Sequence, residues 1–408
     1  MTWERALQIE QDIQRVMSKQ AHYGVYFNKQ QAEDLVDELT YVMEELEEEI
    51  LPLFHMDLEI PYKHPVNKPF IKNGDYSINV KRWFEDDDNS RGSTVGGPFS
   101  RIRWTRLALS KRQRVCNQLL EMGWKPTFKT DKGNPQIIRQ GVVCPALCKI
   151  KGGIGEQLSQ WYIYSHRRGQ IKGWLKLLRT DNRLSASAIV CGTNTGRMRH
   201  RVVVNVPKAA SYVAYGSEMR ELFTVPDTSK ILMGVDAAGL ELRMLCHYMN
   251  DKEYTRILLH EDIHSHNQRT AGLPDRDSAK TFIYAFLYGA GDAKLGSIVG
   301  GGARKGRELR ARFLSGLPTL ERLTTRVSKA SERGYLRGID DRRVYMRRGD
   351  RGEIQTHKAL NTLLQSTGSI VMKMAAIVFD EMSKDYNCHQ VLNMHDEFQV
   401  ECQIGCVD

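Results

Sequence analysis

The first fifty residues repeat apolar positions with the period of an amphipathic helix, broken once by an extended link, Gly24-Val-Tyr-Phe-Asn28. In the second half Leu35, Leu39, Val42, Leu46 and Ile50 recur at spacings of four, three, four and four, while Glu44, Glu45, Glu47, Glu48 and Glu49 crowd the end of the stripe. The pattern predicts two helices packed as an antiparallel pair. Through residues 55–100 the periodicity is lost, and Pro, Gly, Asn, Ser and the acidic Asp86-Asp87-Asp88 gather as in an irregular insertion. Helix is predicted again near 111–122 and 157–178, followed by short strands alternating with polar segments. The compact run Ile231-Leu-Met-Gly-Val-Asp236 reads as a buried strand ending in a carboxylate. One long helix over about 276–298, the glycine run Gly300-Gly-Gly302, another helix and an Arg-rich segment around 342–351 complete the pattern, with no internal repeat.

Composition and charge add a partner. The 408 residues are 41% hydrophobic and 26% charged, which suits a globular chain with room for two or three subdomains. No apolar run approaches the roughly 18 residues of a membrane span, and the start MTWERALQIEQDIQ is too polar for a signal peptide, so a cytosolic (cytoplasmic) protein without a membrane partner is expected. The eight cysteines are scattered and lack metal-binding spacing, so reduced, buried thiols are expected. Residues 1–60 carry 4 Lys+Arg against 14 Asp+Glu, whereas residues 101–210 carry 22 against 4, a net of +18. So long a basic stretch repels itself unless an anion compensates it, and nucleic acid is the expected partner.

Two acidic positions stand out. Asp236 closes its apolar strand, and Asp396 with Glu397 lies inside Val391-Leu-Asn-Met-His-Asp-Glu-Phe-Gln-Val400, where apolar residues on both sides suggest two strands with the acids at the turn. Carboxylates beside apolar strands are costly unless paired or bound to a cation. Two Asp from different strands that meet at one point can hold two Mg²⁺ ions for in-line phosphoryl transfer, although each alone also fits a simple turn.

Between them Arg276, Lys280, Tyr284 and Tyr288 recur at strict four-residue spacing, one ladder on a helix that Pro274-Asp275 can start. Phe282, Ile283, Phe286 and Leu287 fill the opposite side, so the ladder faces a ligand or an interface. Two cations and an aromatic suit a triphosphate and a base. Other motifs are weaker. His260, His264 and His266 with Asp262 lack a complementary zinc ligand set, and Gly301-Gly-Ala-Arg-Lys-Gly306 has P-loop glycines without the Lys-Ser/Thr that completes one, which suggests a mobile loop.

Taken in order, Asp236-Ala-Ala-Gly-Leu-Glu-Leu-Arg243, the Arg276-to-Gly289 ladder and His395-Asp-Glu397 resemble the three polymerase motifs of family A DNA polymerases. Asp262-Ile-His264, Tyr288-Gly-Ala-Gly-Asp292 and Ala359-Leu-Asn-Thr-Leu-Leu-Gln-Ser366 are similar to the replicative enzymes of T-seven-type bacteriophages within it. The resemblance implies an α+β right-hand polymerase fold with a helical thumb at 1–185, palm at 186–262 and 336–408, fingers at 263–335, and an antiparallel-sheet palm. It implies template-directed addition of dNTPs to a primer 3′-OH in phage-type DNA replication. Asp236 and Asp396, with the Ala237 carbonyl, would bind two Mg²⁺ ions; His264, Arg276 and Lys280 would hold the triphosphate, Lys280 also supplying a proton to pyrophosphate. Tyr284 would pack on the sugar, Tyr288 and Gly289 would help place the template base, and Glu241 matches the steric gate that rejects a 2′-OH. Arg197, Asn361 and Gln365 match residues that touch the minor-groove edge of the newest base pairs, where acceptors are common to all correct pairs. His395 and Glu397 would support the primer end.

The resemblance begins at the thumb, without an editing exonuclease before it, and stops soon after the third motif. This raises the expectation of a split polymerase whose exonuclease and carboxy-terminal palm come from separate polypeptides, with accidental truncation as its rival. A processivity factor docking on 55–100 is a further expected partner. A catalytically inactive or truncated polymerase-like DNA-binding subunit is the alternative from another class; a metal-dependent nuclease leaves the ladder and the gate unexplained.

Overall fold

In a computed structural model, which describes residues 2–60, 66–86, 90–94, 99–130, 132–139, 142–150 and 154–406, three antiparallel strands make the sheet that carries both acidic motifs. Glu397–Gln403 lies in the middle, with Lys230–Asp236 on one side and Cys388–Met394 on the other. Pairing runs unbroken from Lys230↔Gln403 to Asp236↔Glu397, so Ile231, Met233 and Val235 share a face with Cys402, Val400 and Phe398. That face packs on Leu240, Met372 and Phe379. The strand expected to be buried is therefore an edge strand, on which Ile231 and Val235 each keep 40% of their surface exposed. A short apolar run reads the same in sequence whether one face of a strand is covered or two.

By contact the chain divides into two compact units, the first made of Met1–Lys29, Trp174–Lys208 and Arg220–Asp408, the second of Gln30–Gly173 and Ala209–Met219. Helices surround the sheet of the first unit, and their apolar faces, including Leu245, Phe282, Phe286, Phe313, Leu320 and Leu363, form one core. Instead of one helix over 276–298 there are two, Arg276–Leu287 and Asp292–Ser297, because the chain turns at Gly289 with φ +75°. The glycines that follow serve packing. A Cβ on Gly296 would lie 2.0 Å from the Gly302 carbonyl oxygen and one on Gly306 1.8 Å from that of Asp292, so Asp292–Ser297 and Ala303–Gly316 meet backbone to backbone.

Periodicity missed the helix Ala359–Met382, since a segment apolar all round has no face to detect. Contrary to expectation, Thr356–Met382 is long and apolar enough to cross a membrane by length and composition, but most of it is buried inside the fold. Its Lys373, 1% exposed, donates to both oxygens of Glu10 at 2.7 and 2.8 Å, and Arg342 bridges Glu10 and Asp340. Glu10 lies on the helix Thr2–Tyr23, which packs on Ala359–Met382 and on the strand Cys388–Met394. Of the two helices predicted to pair, the first belongs to the first unit and the second, Lys29–Ile50, almost wholly to the second.

In the second unit Met43 and Ile50 of Lys29–Ile50 pack with Leu119, Trp124, Leu158 and Trp161. The buried stripe is Ala32, Leu35, Val36, Leu39, Met43 and Ile50, rotated away from Val42 and Leu46, which are half-buried. The region read as irregular is ordered where it is described. Ser100–Thr105 pairs with both Asp57–Glu59 and Ser90–Ser93, the helix Ile78–Asp86 lies beside them, and Phe70, Tyr76, Trp83, Phe84 and Phe99 cluster. Asp87 and Asp88 lie outside the described residues. All eight cysteines are free thiols; Cys116, Cys144, Cys246 and Cys402 are buried, but Cys148 and Cys191 are exposed, against expectation.

A second ion cluster anchors the middle strand. Glu401, 1% exposed, accepts from Arg183 at 2.8 and 2.9 Å, from Lys230 at 2.8 Å and from the Tyr23 hydroxyl at 2.7 Å. Burial alone raises the carboxyl, but these donors outweigh it and hold it down to about 2. A depressed carboxyl contributes stability that is complete above its unfolded value and is lost as pH falls from there through about 2. Glu401→Gln, which leaves two cations without their counter-charge, is expected to cost about 3 kcal/mol at pH 7. Thermal or urea unfolding should show the gap between wild type and variant shrinking as the pH is lowered to 3 and below; a gap that stays constant across this range would refute the electrostatic account.

Candidate active site

The backbone brings the two aspartates together. Asp236 ends its strand opposite Glu397, and Asp396 occupies the two-residue turn between the other strands with His395, whose φ is +57°. The chain continues from Asp236 into Ala237, whose N–H donates to the Asp396 carbonyl oxygen at 2.9 Å. A left-handed histidine is an uncommon conformation, held here by the strand pairing on both sides. Asp236 is exposed and Asp396 half-buried, and neither carboxylate is hydrogen-bonded or ion-paired to a described side chain. Among the described residues no group of three or more His, Cys, Asp or Glu side chains is arranged as a metal site. Two unneutralised carboxylates on adjoining backbone suit a hard divalent cation that keeps much of its water and takes other ligands from a substrate.

The cationic ladder is built on the helix Arg276–Leu287, capped by Asp275, whose side chain accepts the Ser278 N–H at 2.7 Å. Ala279, Phe282, Ile283, Phe286 and Leu287 are buried, while Arg276 and Lys280 are exposed and Tyr284 is half-buried. His264, on the neighbouring helix Ile263–Ala271, lies with its ring 6.3 Å from that of Tyr284. Burial lowers the His264 imidazole, and the Arg276 and Lys280 charges lower it further against Asp262, which places the three groups within one field. The Tyr284 phenol is raised by burial and then by Glu241 and Asp396, so the ladder also lies within the field of the acids.

A direct bridge closes the arrangement. Glu241, in the first turn of the helix Leu240–Met249, accepts from Arg197 Nη2 at 3.0 Å and from the Tyr288 hydroxyl at 3.3 Å. Tyr288 ends the ladder helix, and Gly289 follows with a hydrogen where a Cβ would stand 2.5 Å from the His357 carbonyl oxygen. Arg197 comes from a loop held by the Ser369 hydroxyl, which donates to the Gly196 carbonyl at 2.8 Å. Asn361 and Gln365 lie one turn apart on the half-buried side of Ala359–Met382, and neither is hydrogen-bonded to Arg197. Glu397 accepts from Gln399 at 2.7 Å.

The sequence reading missed His200 altogether and gave Asp262 no part of its own at the site. His200 packs edge-on against His395, with centroids 5.1 Å apart, and its Nε2 accepts the His395 N–H at 3.4 Å. Burial, with a smaller push from His395, lowers its imidazole to about 4, so it is the neutral ring that receives this bond. No periodic signal marks it. Asp262 bonds Arg276 across two helices, and the pattern Asp262-Ile-His-Ser265, a side-chain cap before a helix, was the available signal.

The family model described as DNA polymerase family A matches residues 120–408. The chain is 38% identical over 329 residues to a DNA-directed DNA polymerase of Escherichia phage Phieco32, covering 61% of this chain and 53% of that protein. It is 33% identical over 357 residues to a DNA-directed DNA polymerase of Escherichia phage T7, covering 77% of this chain and 49% of that protein. A solved structure described as the POL domain of Pol1 from M. smegmatis in complex with DNA primer-template and dNTP superposes with a TM-score of 0.71 at 19% identity, over 97% of this chain and 64% of that one. The chain spans about half the length of the curated relatives it matches. Its fold is the α+β right hand of these polymerases, and the chain belongs to DNA polymerase family A.

Proposed function

We propose that this chain carries the polymerase centre of a template-directed DNA polymerase of phage-type replication, adding dNTPs to a primer 3′-OH on primer-template DNA. The bridge at Glu241 carries the reading: one carboxylate, just past Asp236, is bonded both by the end of the cationic ladder and by the loop of Arg197. Acid pair, ladder and candidate minor-groove arginine therefore meet at one place. Residues 30–173 act as the thumb, in place of the expected 1–185, since the helix Thr2–Tyr23 packs on the helix Ala359–Met382 and on a strand of the central sheet; 186–262 and 336–408 act as the palm, and 263–335 as the fingers.

Asp236 and Asp396, with the Ala237 carbonyl, would hold two Mg²⁺ ions, which when bound would favour the primer alkoxide and neutralise charge on the departing pyrophosphate. Arg276, Lys280 and His264 receive the triphosphate, and the exposed Lys280 ammonium stands ready to protonate the leaving group. In the displacement the primer oxygen bonds the α-phosphorus, the bond from that phosphorus to the bridging oxygen breaks, and pyrophosphate leaves. Tyr284 packs on the sugar, Tyr288 and Gly289 place the template base, and Glu241 fills the space of a ribose 2′-OH. Arg197, Asn361 and Gln365 donate to the minor-groove edge of new pairs, and His395 and Glu397, steadied by His200 and Gln399, support the primer end. The +18 stretch of residues 101–210 tracks the DNA backbone, so duplex affinity falls steeply with salt.

The same reading gives the 55–100 region a processivity partner, supported by exposed apolar residues in it and just after it: Phe70 keeps 53% of its surface and Trp104 54%.

Primer extension with Asp236→Asn should fall about a thousandfold or more, with duplex affinity within about threefold of wild type; near-normal extension would overturn the metal assignment. Glu241→Ala should lower the preference for dNTPs over ribonucleotides by about ten- to a hundredfold, read as the ratio of kcat/KM values, while Tyr288→Phe should hold it near wild type. Equal losses in both variants would assign Glu241 a bracing role only. Phe70→Ala should leave single-nucleotide addition by the purified chain unchanged and shorten the products made per binding event in host extract by several-fold; equal product lengths would remove the partner assignment.

A further inference from the structure

Asp262 stands where the two helices that carry the proposed triphosphate ligands begin. It caps Ile263–Ala271, whose first turn bears His264, and it faces Arg276 at the start of Arg276–Leu287. Its carboxylate is fully engaged. Oδ1 accepts the His264 N–H at 3.1 Å, Oδ2 accepts the Ser265 hydroxyl at 2.6 Å, and Arg276 donates through Nε to Oδ2 at 2.7 Å and through Nη2 to Oδ1 at 3.2 Å.

The cap bonds fix the carboxylate to its own helix, and the fork fixes the guanidinium to the carboxylate. Only one edge of Arg276 is used. Both hydrogens of Nη1 and the second of Nη2 remain to donate to an anion. His264 is held by the same device, and its Nδ1 is buried without a hydrogen-bond partner, an unsatisfied polar atom beside the ladder.

We propose that Asp262 is a positioning residue that locks Arg276 and the His264 turn into one frame, so that the cradle receives a nucleoside triphosphate without first ordering its arginine. The inference rests on the polymerase reading above and assigns that site a residue which itself touches no substrate. Repulsion between Asp262 and the triphosphate works the other way. The pair is half-exposed, Arg276 at 52% and Asp262 at 39%, so solvent and salt screen that repulsion, while the geometric restraint of a two-point fork is unaffected by screening. The same exposure makes the pair a minor contributor to folding stability.

Asp262→Asn separates the two roles, because Asn caps a helix as well as Asp but cannot accept the fork with both oxygens. With primer-template and a non-hydrolysable dNTP analogue, the variant is expected to bind the analogue about 5- to 30-fold more weakly. KM for the dNTP should rise in parallel, with kcat within about threefold, primer-template affinity unchanged and the melting temperature within about 2 °C. Unchanged or tighter analogue binding overturns the proposal, and so does a joint fall of kcat, DNA affinity and melting temperature. Arg276→Lys keeps the charge but cannot form the fork, so adding Asp262→Asn to it should cost no further affinity; additive losses overturn the lock. Analogue binding, followed by calorimetry, is read even if the wild-type chain extends no primer, which would refute the polymerase reading while leaving the lock to stand or fall on its own. A wild-type chain that binds no triphosphate refutes both.

Discussion

Everything at the site depends on one stretch of antiparallel pairing. Seven residue pairs in unbroken register carry Lys230–Asp236 along Glu397–Gln403, and the bond from the Ala237 N–H to the Asp396 carbonyl extends that register past the end of the strand. A slip of one residue would turn Asp236 to the opposite face and separate it from the turn. The carboxylates are therefore placed by backbone geometry and need no side-chain contact between them. The alternation of Met233 with Phe398, Val400 and Cys402 toward the core keeps the register, since any other pairing would expose that apolar row.

Ion pairs of two kinds surround this sheet, and their surroundings decide what each can do. Glu401 with Arg183, Lys230 and Tyr23, and Lys373 with Glu10 and Arg342, are buried, so they hold the first helix and the central sheet together and cannot open without a large penalty. Arg276 with Asp262 is half-exposed, and Arg197 with Glu241, mostly buried, is shared with Tyr288. The first kind gives a rigid floor. The exposed pair at Asp262 contributes orientation at little expense in stability.

The chemistry was more legible in the sequence than the architecture. A hairpin around Asp396 could be seen because apolar residues alternate on both sides of it, and the ladder because a spacing of four admits only one helical face. The helix Ala359–Met382 had no polar face to reveal it, and the strands at 57–59, 90–93 and 100–105 were too short to show a period. Arg197 could be placed only by resemblance, since nothing local joins it to Glu241, 44 residues on. Asp262 and His200 act through residues 14 and 195 positions away, and such a partnership exists only once the chain has folded.

The position of Lys230–Asp236 at the sheet edge has a consequence for motion. Only one side of this strand is held by a neighbour, so about every second amide along it points away from the ladder of bonds. Protection from hydrogen exchange should therefore alternate along the strand that ends in Asp236, and the end bearing the carboxylate can shift by small amounts while the middle strand stays fixed. The two aspartates thus differ in stiffness: Asp396 sits in a turn closed on both sides, whereas Asp236 rides on a support that can yield.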